Sequence, residues 1–265
     1  MVLIFWGRLE WLVPVLERMN LDMTRNAPRF LVFQHIAAEH PGAFCPLMES
    51  SGVSWTPVEL DQGESIPDLS DFDALWVLGG PMDVWQRDEH PWLVEEIAVI
   101  GEAVVERGLP YFGLCLGHQL LAEALGGEVG PAETPEIGVL GVELTEPGKH
   151  HPLMTGVPES MKALQWHSAE VKRLPKGTKC LMQSPACRYQ AMALGNTAVS
   201  LQFHVEIEAN TVREWGQIPE YATALASSCG AHALERMHRE ATESMPEMSQ
   251  VAQTIYSNWF NTAFR

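Results

Sequence analysis

One stretch of the chain constrains its fold more than any other. Pro110–Leu114 (PYFGL), a short apolar run, passes without a linker into Cys115 and then into a helical segment, His118–Leu125, closed by Gly126-Gly127. A buried strand that becomes a helix within a few residues is half of a β–α–β unit. Such units assemble into parallel sheets covered by helices on both faces. Neighbouring segments keep the same rhythm. Arg29–Gln34 (RFLVFQ) and Asp71–Leu78 (DFDALWVL) read as buried strands, and Val53–Leu60 alternates as another, with a helix expected over 41–51.

A further helix is expected from Pro91 to Arg107, where Leu93, Ile97, Ile100 and Val104 recur at helical spacing and Gly108 stands at the C-cap. From 137 onward the texture changes. Val139–Thr145, Ala163–Trp166, Ala169–Arg173, Thr178–Ser184 and Gln190–Leu194 read as a β-rich section added to the sheet. Thr197–Phe203 (TAVSLQF) returns to a buried strand ending at His204, and the tail carries at least two helices with a break near Pro246. The pattern predicts a three-layer α/β domain whose mixed, largely parallel sheet has helices on both faces.

Composition narrows the function. The 265 residues carry 17 basic and 34 acidic side chains, a formal charge of −17, which argues against nucleic acid as a partner because that affinity comes from Lys and Arg on phosphates. Five cysteines (45, 115, 180, 187, 229) form no CxxC pair and no zinc-spaced cluster, so reduced thiols in a cytoplasmic protein without a metal are expected. Met1–Trp6 is apolar but has no basic residue before it and is interrupted by Gly7-Arg8. No apolar run reaches the ~20 residues of a membrane helix. Residues 1–28 read as a non-catalytic extension, 29–225 as the catalytic domain and 226–265 as a C-terminal helical extension.

Gly113-Leu114-Cys115-Leu116-Gly117 is the sharpest chemical signal. It is the cysteine form of the strand–turn–helix nucleophile elbow. Such a turn strains the nucleophile's backbone, and side chains two residues either side would clash across it. The following helix aims its N-terminus at the sulfur, which is expected to lower the thiol pKa. His204 and Glu206 follow another buried strand and therefore stand at the carboxyl edge of the sheet, where open α/β sheets bind ligands. Imidazole can take the thiol proton, and the carboxylate can orient the ring. Leu78-Gly79-Gly80-Pro81-Met82 ends a third strand, so N–H groups of Gly80 and Leu116 could hold an oxyanion. Seven histidines, at 35, 40, 90, 150, 151, 232 and 238, lie in loops or on helices without an evident partner set.

Taken in order, Leu78–Met82 (LGGPM), Tyr111–Gly127 (YFGLCLGHQLLAEALGG) and Gln202–Glu206 (QFHVE) resemble the glutaminase domains of class I, triad-type glutamine amidotransferases, nearest to the GMP-synthase type. The resemblance covers residues 30–215 and implies a flavodoxin-like fold. It implies Cys115, His204 and Glu206 as the triad and Gly80 and Leu116 as oxyanion donors. It also implies Gln119 as a contact for the amino-acid end of the substrate. His167 and Ser168, within Leu164–Ser168 (LQWHS), match the segment whose backbone holds the glutamine α-groups. Where that family commonly has H-P-E, this chain has His204-Val205-Glu206.

The implied chemistry needs no cofactor and no metal. Cys115 attacks a γ-glutamyl amide, His204 protonates the leaving amine, and water hydrolyses the thioester. The sequence shows no phosphate loop and no ammonia-consuming synthetase segment. The substrate is then expected to be a small γ-glutamyl amide or peptide. One alternative is a glutaminase component serving a separate synthase partner. Another is a non-catalytic scaffold that binds a metabolite or a protein.

Overall fold

The computed structural model describes residues 27–230 and 232–265. The expected N-terminal extension, residues 1–28, lies outside them apart from Ala27 and Pro28. The first half of the chain alternates strand and helix: β1 Arg29–Gln34, α1 Cys45–Ser50, β2 Ser54–Glu59, β3 Ala74–Val77, α2 Trp92–Gly101, β4 Tyr111–Leu114 and α3 Leu116–Ala124. The second half is β-rich, then helical. It runs β5 Glu128–Leu144, α4 Glu146–Lys149, β6 Ser160–Arg173, β7 Thr178–Gln183, β8 Ala191–Leu194, β9 Ala198–Leu201, α5 Thr211–Trp215, α6 Pro219–Cys229 and α7 Ala233–Phe264.

Among the described residues, nine strands share one mixed sheet in the order β2-β1-β3-β4-β9-β8-β7-β5-β6. The first five in that order are parallel and the rest are joined antiparallel. Alternate residues of the central strands feed two cores. Phe30, Val32, Trp76 and Phe112 face one side with Trp259 of α7, while Leu31, Phe33, Leu75 and Tyr111 face the other with Leu93 of α2 and Leu120 of α3. Burial on both faces is why these strands read as continuous apolar runs. Trp76 stacks on Phe112 with ring centroids 4.3 Å apart, and Trp259 meets both edge-on at 5.5 and 5.6 Å.

Four elements differ from the sequence expectation. β5 begins at Glu128, well before Val139, and β6 runs unbroken through both segments expected there. These strands form one long antiparallel ribbon with a register shift between Pro131 and Glu136, so the polar middle of β5 bulges out of the ladder and shows no apolar alternation. α2 stops at Gly101 and continues as a π-helical turn over Glu102–Glu106. Pro246 does not break the last helix. It lies inside the 32-residue α7 on the exposed side, while Met248, Val251, Ala252 and Ile255 are buried. The carbonyl that proline frees faces water there, so packing of the opposite face decides the outcome. The boundary drawn at 225/226 falls inside α6. Among the described residues no helix is long and apolar enough to cross a membrane.

Candidate active site

Four parallel strands, β1, β3, β4 and β9, deliver their carboxyl ends to one edge of the sheet. At the end of β4, Cys115 takes φ +47° and ψ −99°, a conformation few L-residues adopt, and its N–H donates to the Leu201 carbonyl at the end of β9 (2.8 Å). The glycines around it are required by close approach. A side chain on Gly117 would collide with the Val77 carbonyl of β3, and one on Gly113 would sit 2.8 Å from the Gly117 carbonyl. The Gly117 N–H is spent on the Leu78 carbonyl (3.1 Å), which leaves that of Leu116, at the first helical position, without a helical partner.

Beyond β9 the chain crosses to β6, where His204 and Leu164 exchange backbone hydrogen bonds of 2.9 and 3.2 Å. This crossing places the His204 ring beside Cys115, close enough for each to shift the other's pKa. Nδ1 of His204 donates to Glu206 Oε1 at 2.6 Å, and the Val205 N–H donates to Glu206 Oε2 at 2.9 Å. Valine in place of the family proline therefore contributes something: proline has no N–H to give Glu206. Trp215 of α5 packs edge-on against the imidazole, with centroids 4.6 Å apart. All three polar side chains are buried.

That burial sets the charges. It opposes a charge on His204, but Glu206 and Cys115 outweigh it and hold the ring well above the usual histidine range. Burial also pushes the Cys115 thiol up; His204 counters this and the carboxylates of Glu39 and Glu206 add to it. The expected lowering by the helix N-terminus is thus reversed, because desolvation of a buried sulfur costs more than the helix end returns. Any charge on the sulfur has the His204 ring, supported by Glu206, as its counter-charge.

Cys115 lies in a cleft of about 250 Å³. Its walls come from the loop after β3 (Gly80, Asp83), from α3 (Leu116, Gln119), from β6 (Trp166 to Ala169) and from α6 (Glu220, Tyr221, Ala224). Every residue that the sequence placed in a binding role therefore lines one cleft. Gln119 Nε2 donates to the Ala169 carbonyl (3.3 Å) and to Gln202 Oε1 (3.2 Å), and Gln202 Nε2 approaches Cys115 Sγ at 3.6 Å. Ser168 is exposed, whereas the His167 ring is tied into the wall by Nδ1 donating to the Ala169 carbonyl (3.0 Å). Behind it Glu136, His167 and Cys187 bring three groups of metal-ligating type together. The Glu136 oxygens, however, already accept from Ser184 Oγ (2.8 Å) and Gln190 Nε2 (2.6 Å).

The sequence reading missed Glu39, Tyr221, Gln202 and Trp215. Glu39, in the loop after β1, is buried and accepts from the Tyr221 hydroxyl, and its Oε2 fills the space a side chain on Gly79 would need. Burial raises its pKa, against the pull of His204 and Tyr221. Only its place past a buried parallel strand, at the same edge as Cys115, could have flagged it. Trp215 and Tyr221 stand on helices after β9, inside the range read as the catalytic domain but given no role at the site.

Comparison with known proteins points to one family. The family model described as glutamine amidotransferase class-I matches residues 46–214. The glutamine amidotransferase-like protein YfeJ of Salmonella typhimurium is 33% identical over 202 residues, covering 74% of this chain and 82% of that one. One subunit of the glutamine-hydrolysing GMP synthase of Sulfolobus acidocaldarius is 32% identical, over 57% of this chain and 76% of that one. Among solved structures, a glutamine amidotransferase from Methylobacillus flagellatus superposes with a TM-score of 0.79 at 27% identity, covering 89% of this chain and 95% of that one.

Proposed function

The chain belongs to the class I glutamine amidotransferase family, and from that premise we propose that it is a cysteine amidohydrolase acting on γ-glutamyl amides or peptides. The observation that carries this reading is Cys115 opening into the cleft with the bonded His204–Glu206 pair behind it. His204 takes the thiol proton as Cys115 Sγ attacks the γ-carbonyl carbon, and the N–H groups of Gly80 and Leu116 receive the oxyanion. The same imidazole then protonates the departing amine, and water cleaves the γ-glutamyl thioester with His204 as base. Gln119, held by Gln202 and Ala169, and the His167–Ser168 backbone bind the amino-acid end of the substrate.

Supporting an amine half larger than ammonia, α6 adds Tyr221 and Ala224 to the cleft. With Glu220 beside them, these side chains leave room for an alkyl or amino-acid leaving group, and ammonia would leave that space unused. A second reading is favoured by the relatives that are subunits of GMP synthases. In it the chain is a glutaminase component that hands ammonia to a separate synthase. A side-by-side panel of glutamine and γ-glutamyl amides with the purified chain alone separates them. At least one alkylamide or dipeptide should be hydrolysed with kcat/KM of ~10⁴ M⁻¹s⁻¹ or higher, and glutamine should be poorer. Inactivity on the whole panel, with glutaminase activity appearing once a synthase is added, would favour the second reading.

A further inference from the structure

We infer that His35 and Glu96 are a positioning pair that orients and polarises the Gly79–Gly80 peptide, the peptide whose N–H serves as an oxyanion donor. The inference rests on the functional reading above and deepens it. His35 follows β1 and is buried; Glu96 is the one carboxylate that α2 turns inward among its apolar residues, and it is fully buried. Burying a charge there demands a partner. His35 Nε2 meets Glu96 Oε1 at 2.9 Å, and His35 Nδ1 meets the Gly79 carbonyl at 2.8 Å.

A carbonyl only accepts, so Nδ1 carries a proton. Nε2 faces the Glu96 carboxylate, which favours a second proton on the ring; burial opposes that charge, and Glu96 outweighs burial and raises the pKa. The Gly79 C=O and the Gly80 N–H belong to one planar peptide unit. Holding the oxygen therefore aims the N–H, and a charge-assisted bond to that oxygen makes the N–H a stronger donor. The surroundings leave the peptide little freedom. His35 stacks on Trp92 (5.4 Å between centroids), Glu39 Oε2 closes on Gly79, and His35 Cβ, Met82 Sδ and Leu116 Cδ2 close on Gly80. A buried ion pair is a poor source of stability; a charge on the ring would strengthen its bond to the Gly79 carbonyl.

The test uses Glu96→Gln, which keeps the shape, and His35→Gln in the full-length chain. Three readouts are compared with wild type: turnover of the best γ-glutamyl amide, affinity for a γ-glutamyl aldehyde that forms a tetrahedral adduct with Cys115, and alkylation of Cys115 by iodoacetamide, which needs no oxyanion site. Both variants should lose about 10- to 100-fold in kcat, below the loss for deleting a donor outright. KM should stay within about twofold, aldehyde affinity should fall with kcat, and alkylation should be unchanged. Unchanged kcat, or alkylation that slows in step with turnover, would overturn the inference and leave the functional reading standing. Failure of the wild type to acylate at Cys115 on any γ-glutamyl amide would overturn both, and it shows before any variant is made.

Discussion

At Cys115 a positive φ, a buried sulfur and a single imidazole partner coincide, and no other cysteine combines them. Cys115→Ala should abolish γ-glutamyl hydrolysis, whereas alanine at Cys45, Cys180 or Cys229 should leave it intact; mass spectrometry with a glutamine-like diazo ketone should find one adduct, at Cys115. Retained activity in Cys115→Ala, with the adduct elsewhere, would refute the assignment. Glu206 uses both oxygens as acceptors, one from His204 and one from the Val205 N–H. In Glu206→Gln the amide can satisfy only one of them and turns an N–H toward the other. The loss should be substantial yet smaller than that of His204→Ala, for which about 10⁴-fold or more in kcat is expected. The double variant should be little worse than His204→Ala alone. Additive losses would mean that the two side chains do not act as a unit.

Among the elements, α6 links the tail to the edge of the sheet. Tyr221 donates its hydroxyl to Glu39, the Trp166 Nε1 donates to the Tyr221 carbonyl at 3.2 Å, and Tyr221 and Ala224 wall the cleft. Tyr221→Phe removes the hydroxyl from a buried carboxylate. The cost should be about 1–3 kcal/mol in denaturant unfolding, accompanied by a higher KM because the wall loses its anchor. A variant as stable as wild type with unchanged KM would show that α6 is held by its apolar contacts alone.

For the whole molecule, burial of single groups enters the acid response beside net charge. The formal charge of −17 shrinks as pH falls, which eases repulsion. His118 works the other way. It is fully buried in α3, bonded through Nδ1 to Ser200 Oγ of β9 (2.9 Å), and burial lowers its pKa to about 3. Its folded pKa lies below the unfolded value, so between pH 6.5 and about 3 the unfolded chain binds the extra proton and stability falls as pH falls. The slope is about 1.4 kcal/mol per pH unit. His118→Asn, measured by denaturant unfolding across that window, should flatten the decline. An identical decline in both proteins would exclude His118 as the cause.

Much of this was legible in the sequence because it depends on local rules. Arg29–Gln34 forms β1 with the expected ends, since a parallel strand buried on both faces must be apolar throughout. Cys115 between its glycines, and His204 with Glu206 after β9, announce their places because a strand end fixes where the next side chain stands. What only the tertiary structure decided involves partners far apart in the chain. His35 and Glu96 are 61 residues apart, Gln202 and Cys115 are 87 apart, and Tyr221 and Glu39 are 182 apart. The same holds for Pro246, whose cost is set by what α7 packs against, and for Cys115, whose pKa is set by how deeply the sheet edge buries it. Periodicity tells which face of an element is apolar. Which polar groups meet once those faces are buried depends on how strands distant in sequence are ordered in the sheet, and no local pattern encodes that order.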